Sequence, residues 1–330
     1  MVSAEKVDEN LGRGGQVDHG MPGFLRTVDR RMVHRAAVSE VFLTDVRQTG
    51  EGMLLAEAQL PLTHGYYSDH VQDPATFDPL LLLEAARQAS IYGAHLLVGI
   101  PPRTAMIVER FSLQLAELGV LRIGHRPGEL RLNSAFEVLK WRGARPRNGR
   151  ATQRLFLGDE LIGDHQMDVM LLSPSEHDAL RQAQRSGPAL STADMADLPH
   201  PAQVAEHLVG RVHPMNVVLA DARRVGHGHS ALVSPRFGNR ALFDHEYDHL
   251  PALILTEAAR QLVLLVAAGG PAGGPMVAGI DARFFRFAEL DAPLIATTAA
   301  AGLPGDRMRV PVVFTQMSTR IAEVTVTLIP

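Results

Sequence analysis

The sequence contains no cysteine among its 330 residues. A thiolate nucleophile, a cysteine-ligated zinc ion and a disulfide are therefore excluded, and the composition suits a reducing compartment such as the cytoplasm. The Gly-x-Ser-x-Gly turn that carries the nucleophile of α/β-hydrolases is absent as well. Any chemistry has to use other side chains.

A strong charge of one sign and a long apolar run are also missing. The formal net charge is −4, which is too small to indicate a nucleic-acid-binding protein. The longest apolar stretches, residues 79–83 and 262–268, are far shorter than the roughly 20 residues that cross a bilayer. The polar N-terminus does not resemble a secretory signal. We expect a cytoplasmic protein that binds neither nucleic acid nor a membrane.

The chain instead contains two copies of one unit. The five residues Glu-Ala-Ala-Arg-Gln occur at Glu84–Gln88 and again at Glu257–Gln261, and the length fits two domains of about 150 residues each. We interpret the pattern as a tandem duplication. The predicted divisions are a poorly ordered segment (1–30), repeat 1 (31–172), a linker (173–205) and repeat 2 (206–330).

A shorter match sets the alignment of the copies. Asp69-His70 matches Asp248-His249, and these pairs are 179 residues apart. The glutamates Glu84 and Glu257 are only 173 residues apart. The difference predicts a six-residue insertion in copy 1, between the Asp-His pair and the helix that follows.

Each copy shows the same order of predicted elements. Two strands and a loop with His and Asp precede one long apolar helix, and several strand-like segments follow it. In copy 1, Asp78 suits a helix N-cap, Pro79 a first helical residue and Gly99 a helix stop. In copy 2, the helix begins at Pro251 and Gly269-Gly270 stops it. This pattern predicts an α+β fold in which an antiparallel sheet wraps around a central helix in each copy.

Polar residues interrupt both apolar helices at spacings of three and four, which places them on one helix face. They are Glu84, Arg87 and Gln88 in copy 1 and Glu257, Arg260 and Gln261 in copy 2. Burial raises the pKa of a carboxyl group toward neutrality, so each glutamate is a candidate general base beside an arginine that holds an anion. The alternative is an internal Glu–Arg pair that only fixes how the helices pack.

A second polar group lies just before the helix of copy 2. It consists of Asp244, His245, Glu246, Asp248 and His249. The spacing of the two histidines is one that a metal site can use, but the proline that follows places them in a loop. We therefore predict no metal and no other cofactor, and a catalytic or loop-structural role for the histidines.

The residues around both helices resemble the A-factor biosynthesis family, which makes γ-butyrolactone, butenolide or furan signalling molecules in actinomycetes. The resemblance covers most of the chain from about Val33 onward. It rests on DPLLLLEAARQA at residues 78–89 and on FDHEYDHLPALILTEAARQ at residues 243–261. It implies a tandem hotdog fold, similar to dehydratases and thioesterases that act on acyl carrier protein and coenzyme A thioesters.

The resemblance also implies an activity, the condensation of a β-ketoacyl thioester with dihydroxyacetone phosphate. The thioester is carried by acyl carrier protein or coenzyme A. In related hotdog dehydratases a histidine precedes the helix and an acidic residue lies within it, which maps onto His249 and Glu257, with Glu84 as the acidic residue of copy 1. The predicted substrate-binding residues are Arg260, Arg87, Gln261, Gln88 and Asp248.

Two other functions stay open at this point. One is a hotdog thioesterase or dehydratase that acts on carrier-bound acyl chains, and the other is a non-catalytic protein that binds acyl groups or lactones. A duplicated unit of this kind also allows a homodimer of the whole chain.

Overall fold

The computed structural model describes residues 23–70, 72–185, 187–196, 199–267, 274–299 and 307–329. Residues 1–22 of the segment predicted to be poorly ordered lie outside the described residues, and so does the helix stop predicted at Gly269-Gly270. The rest of that N-terminal segment packs on the sheet. Gly23 N donates to Glu57 Oε2 at 2.9 Å, and Val28 N donates to Leu43 O at 3.0 Å.

The strands of the described residues form one 12-stranded antiparallel sheet. The first half contributes β1 (Leu43–Gly50), β2 (Met53–Leu60), β3 (Ala105–Leu115), β4 (Gly128–Arg142), β5 (Arg145–Leu157) and β6 (Glu160–Leu172). The second half contributes β7 (Leu219–Val225), β8 (Gly228–Val233), β9 (Met276–Phe284), β10 (Ile295–Thr298), β11 (Met308–Gln316) and β12 (Thr319–Ile329). The order is β1-β2-β4-β5-β6-β3-β9-β12-β11-β10-β8-β7, so β3 and β9 join the halves edge to edge.

The α-helices of the described part are α1 (Pro79–Val98), α2 (Pro174–Gln184) and α3 (Ala252–Ala267). Asp78 caps α1 by accepting a hydrogen bond from Leu80 N at 2.8 Å, and Gly99 ends it at φ 69°. Both predicted end signals of this helix are confirmed. None of the helices in the described part of the chain combines the length and the hydropathy that a bilayer crossing requires.

Each long helix packs against strands of its own half. Helix α1 contacts β1, β2 and β4, and α3 contacts β8, β11 and β12. Leu80 and Leu82 of α1 and Leu262 of α3 are fully buried in these contacts. The predicted α+β fold is confirmed, with one central helix per half wrapped by an antiparallel sheet, as in a tandem hotdog.

The two halves align differently from the prediction based on the Asp-His pairs. Asp69 accepts a hydrogen bond from Val212 N at 3.1 Å, and Asp244 accepts the corresponding one from Ala36 N at 2.9 Å. The equivalent of Asp69 is therefore Asp244 rather than Asp248. The predicted six-residue insertion was wrong, because the loop of the second half contains two Asp-His pairs and the second was matched.

Candidate active site

Glu84 of α1 lies at the centre of a buried ion-pair network. Arg35 binds its Oε1 from Nε at 3.1 Å and from Nη2 at 2.6 Å, and Arg87 binds both carboxylate oxygens at 2.7 and 2.8 Å. Gln88 Nε2 also donates to Oε1 at 2.7 Å. The predicted grouping of the three helix residues is confirmed. Arg35, which lies 49 residues before Glu84, was not predicted.

The pKa of Glu84 is shifted in the direction opposite to the prediction. Burial disfavours the ionised carboxylate, but the charges of Arg35 and Arg87 and their hydrogen bonds outweigh it and lower the pKa of Glu84 to about 2. The prediction of a raised pKa for this glutamate was wrong. Glu84 is a carboxylate at neutral pH, suited to hold two arginines and poorly suited to accept a proton.

A cavity of about 380 Å³ lies between the two halves. Glu84, Arg35 and Arg87 of the first half contact it, and so do Tyr247 and His249 of the second half. Much of the remaining wall is apolar and comes from both halves (Met106, Ile107, Val108, Leu253, Phe284 and Phe287). A mainly apolar space that also contacts arginine and histidine suits an acyl chain with a polar reactive group.

His249 lines this cavity together with Glu84, while Glu257 of its own half does not reach it. Nδ1 of His249 is 2.6 Å from Asp248 Oδ1. Because a carboxylate only accepts, Nδ1 carries the hydrogen, and Nε2 has no hydrogen-bond partner within the described residues. Burial disfavours the Asp248 carboxylate, but the hydrogen bond from His249 and the charge of Arg181 outweigh it and keep the pKa of Asp248 below its ordinary value. The contacts of Asp248 orient the histidine.

His245 forms a second Asp–His pair at the same cavity. Its Nδ1 is 2.6 Å from Asp244 Oδ1, and Asp244 also pairs with Arg35 at 3.0 Å. The ring lies against Tyr247, with 4.1 Å between ring centroids. The sequence predicted a catalytic or loop-structural role for His245, whereas the neighbouring cavity residue His34 was not predicted. The repeated Asp-His pair in the loop is a further sequence signal for His245.

Glu257 has similar partners to Glu84, but within the described residues it does not line the large cavity. Arg211 is fully buried and donates to Oε1 from Nε at 3.0 Å and from Nη2 at 2.8 Å, and Gln261 Nε2 donates to the same oxygen. Arg260 pairs with Oε2 at 2.6 Å and with Asp78, the N-cap of α1, at 2.8 Å. This network links α3 to the start of α1.

The two glutamines predicted to bind substrate hydrogen-bond to the backbone, and substrate binding by them stays a prediction. Gln88 accepts a hydrogen bond from Phe42 N at 3.0 Å and donates to Glu40 O at 2.7 Å. Gln261 makes the same two contacts at the equivalent positions of the second half. Each pair of bonds fixes a long helix to the chain just before the first strand of its half.

A smaller cavity of about 150 Å³ lies beside Arg260 of α3. His70 lines it, but Nε2 of this ring donates to Thr76 O at 2.8 Å and Nδ1 accepts from Gln72 N at 3.3 Å. Arg260 Nη1 donates to both carboxylate oxygens of Asp78 at 2.8 Å. Both nitrogens of the His70 ring and the Nη1 atom of Arg260 are therefore already hydrogen-bonded within the protein. The smaller cavity thus offers a substrate fewer polar contacts from these two residues.

Known proteins share this architecture. Residues 18–173 and 192–330 match the family model described as the A-factor biosynthesis hotdog domain. A 2-oxo-3-(phosphooxy)propyl 3-oxoalkanoate synthase of Streptomyces virginiae is 30% identical over 285 residues, which cover 85% of this chain and 90% of that protein. A protein of the same name from Streptomyces griseus is 30% identical over 82% of this chain and 84% of its own length.

A solved structure from Lactobacillus plantarum, described as a proposed oleoyl thioesterase, has a similar fold. Its TM-score is 0.50 at 10% identity, with 85% of this chain and 97% of that chain covered. At this identity the likeness concerns the fold alone.

Proposed function

Because the chain belongs to the A-factor biosynthesis hotdog family, we propose that it transfers a β-ketoacyl group from a thioester to dihydroxyacetone phosphate. The product is an ester of the kind that its Streptomyces relatives are named for, and a precursor of a γ-butyrolactone, butenolide or furan signal. The observation that carries the proposal is the cavity of about 380 Å³ in which Arg87 and His249 meet a largely apolar wall.

His249 is the proposed general base. Its Nε2 takes the proton of the substrate hydroxyl as the hydroxyl oxygen attacks the thioester carbonyl. The new C–O bond forms, the C–S bond breaks, and the proton passes to the departing thiolate. Asp248, 2.6 Å from Nδ1, holds the ring in the required tautomer and stabilises the imidazolium. A positioned base of this kind contributes about 10²- to 10⁴-fold to the rate.

Arg87 is the proposed phosphate-binding residue. Its Nε and Nη2 are held by Glu84 at 2.7 and 2.8 Å, whereas its Nη1 makes no hydrogen bond within the described residues. Arg286 lines the same cavity and adds a second cation. A guanidinium fixed on one side and free on the other suits an incoming phosphate. Glu84 therefore acts by positioning the arginine.

The sequence also predicted Glu257 as a catalytic residue and Arg260 as a substrate ligand. Both stay predictions, but the partners of these side chains favour a structural role. The Glu257 carboxylate forms ion pairs with Arg211 and Arg260, and Arg260 forms a further ion pair with Asp78. We assign the chemistry to the cavity beside Glu84.

The thioester donor is proposed to be an acyl carrier protein in preference to free coenzyme A. Arg145 at the β4–β5 turn is exposed, and Arg142 beside it is 76% exposed. Glu176 of α2 pairs with Arg142, and one helical turn later Leu180 lines the cavity. An acidic carrier is attracted to this basic turn near the cavity. Arg145→Ala is expected to raise KM for the acyl carrier protein and leave KM for the coenzyme A thioester unchanged.

Thiol release tests the proposed reaction. The purified protein is incubated with the β-ketoacyl thioester of acyl carrier protein, and separately with that of coenzyme A, each with and without dihydroxyacetone phosphate. Thiol release that depends on dihydroxyacetone phosphate supports acyl transfer. Release without it indicates a thioesterase, and no release from either thioester indicates a binding protein. Acetol phosphate, which has a methyl group in place of the hydroxymethyl group of dihydroxyacetone phosphate, is the matched control and is expected to give no thiol release.

Two further predictions accompany this function. A homodimer is tested by sedimentation equilibrium of the full chain, and a cytoplasmic location is tested by cell fractionation.

A further inference from the structure

His34 has a backbone conformation that the second half assigns to glycine. It ends the short 3-10 helix Arg30–Val33 at φ 53°. Gly210 ends the equivalent helix, Glu206–Val209, at φ 71°. The equivalence is secure because the next residue in each half is the arginine that binds the helix glutamate. Glycine adopts positive φ freely, whereas a residue with a β-carbon does so at a cost. The first half thus retains an imidazole where the backbone favours glycine.

A hydrogen bond to a second histidine fixes the tautomer of His34. Nδ1 of His95 is 2.7 Å from Ile100 O, and Nε2 of His95 is 3.0 Å from Nε2 of His34. A carbonyl oxygen only accepts, so Nδ1 of His95 carries the hydrogen and its Nε2 accepts in the neutral ring. His34 therefore donates from Nε2, and its Nδ1 bears a lone pair.

That lone pair is accessible to a bound molecule. The His34 ring lines the large cavity together with Arg87 and His245. Its Nδ1 makes no hydrogen bond within the described residues and is not among the polar atoms that are sealed from solvent. Burial, and then the nearby His95, Arg87 and His245, lower the pKa of His34 to about 4. The ring is therefore neutral at pH 7 and accepts a hydrogen bond.

The substrates of the proposed reaction offer few donors to such an acceptor. Their ketone, thioester and phosphate oxygens accept hydrogen bonds at neutral pH. The single hydroxyl of dihydroxyacetone phosphate gives its proton to His249. The donor that remains nearest the reacting carbon is the amide N–H two carbons from the sulfur, which pantetheine thioesters of carrier proteins and coenzyme A share.

We propose that His34 is a specificity-determining residue that accepts a hydrogen bond from this amide N–H through Nδ1. His95 is a positioning residue that keeps the accepting tautomer. The inference rests on the proposed function and adds the part of the donor that the site recognises. The site then distinguishes a pantetheine thioester from an alkyl thioester of equal length.

Two unreactive probes test this recognition. Both are thioethers with a methylene in place of the thioester carbonyl, and they carry a 3-oxooctyl group on N-acetylcysteamine or on pentanethiol. Binding is measured by calorimetry without dihydroxyacetone phosphate, so the result does not depend on turnover. The wild-type protein is expected to bind the amide-bearing probe about 2- to 10-fold more tightly, as expected for one neutral hydrogen bond.

In His34→Gly the ratio of the two dissociation constants is expected to fall to about 1, the value without a hydrogen bond. The melting temperature should change little, because relief of the positive φ offsets the lost hydrogen bond to His95. His34→Asn tolerates the left-handed backbone and keeps an acceptor oxygen, so it should retain part of the preference. An unchanged ratio in His34→Gly, or equal binding of both probes by the wild type, would overturn the inference. If the two probes bind with the expected ratio but thiol release does not depend on dihydroxyacetone phosphate, the result would contradict the proposed reaction and leave the recognition by His34 intact.

Discussion

Nδ1 of His249 lies 2.6 Å from a carboxylate oxygen of Asp248, the residue immediately before it. The pair fixes the orientation of a ring that lines the cavity, and Nε2 of this ring makes no hydrogen bond within the described residues. Asp248→Asn removes the charge that stabilises the imidazolium, so we expect kcat to fall about 10²-fold, within the range for general-base catalysis.

Steady-state kinetics check this prediction, with Asp159→Asn as the control because the Asp159 side chain is 99% exposed. KM for dihydroxyacetone phosphate should change little in either variant. An Asp248→Asn protein with wild-type kcat contradicts the role of this pair.

Glu257→Gln is expected to destabilise the fold. The substitution leaves the buried Arg211 and Arg260 without the carboxylate that compensates their charges. Removing one partner of a buried ion pair costs about 3–5 kcal/mol. Urea denaturation measures the change, and Glu160→Gln at an exposed position is the control. Unchanged stability combined with lost turnover would favour Glu257 as the catalytic residue.

Arg87→Ala is expected to raise KM for dihydroxyacetone phosphate by about 10-fold or more, since a hydrogen bond to a charged group contributes about 1.5–3 kcal/mol. KM for the thioester should stay near its wild-type value. Arg260→Ala is the matched comparison, because Asp78 already occupies that guanidinium. Arg260→Ala should lower stability and leave KM for dihydroxyacetone phosphate unchanged. A raised KM in Arg260→Ala together with an unchanged KM in Arg87→Ala would contradict the assignment of the two arginines.

The lowered pKa of Glu84 predicts a pH dependence of stability. The pKa is about 2 in the folded protein against an ordinary value of 4.5. A folded-state pKa below the unfolded value gives stability that is fully present above about pH 4.5 and is lost as pH falls toward 2. Glu84→Gln lacks this contribution.

The difference in unfolding free energy between the wild type and Glu84→Gln should therefore shrink between pH 5 and pH 3. Chemical denaturation at several pH values measures it. A difference that stays constant over this range contradicts the lowered pKa.

Local signals explain why the fold was predictable from the sequence. Asp78, Pro79 and Gly99 act on the helix that they flank, and alternating strands show their period within a few residues. The repeated Glu-Ala-Ala-Arg-Gln string identified the duplication because both copies place the same residues on a buried helix face. These parts of the prediction needed no knowledge of distant contacts.

The site depended on contacts between distant residues, and that is where the prediction failed. Arg35 reaches Glu84 across 49 residues, and Arg211 reaches Glu257 across 46. Burial alone predicts a raised pKa, and only the arginine charges reverse its sign for Glu84.

The open cavity is likewise a property of the packed halves. The string of the first half lies beside a cavity of about 380 Å³, whereas Glu257 and Arg260 of the second half pair within a buried network next to the smaller cavity. The sequence pattern treats the two copies as equal, so it had no means to distinguish the helix that borders the cavity.

The most direct test of the account is the yield of the β-ketoacyl ester of dihydroxyacetone phosphate. It is measured by mass spectrometry with ¹³C-labelled dihydroxyacetone phosphate as the acceptor. Wild-type protein and His227→Gln, a change at an exposed histidine, should form the labelled ester in amounts that match the thiol released. His249→Gln should form it at least about 10²-fold more slowly, because the base is removed. Equal ester formation by His249→Gln, or thiol release by the wild type without ester, would contradict acyl transfer at this cavity.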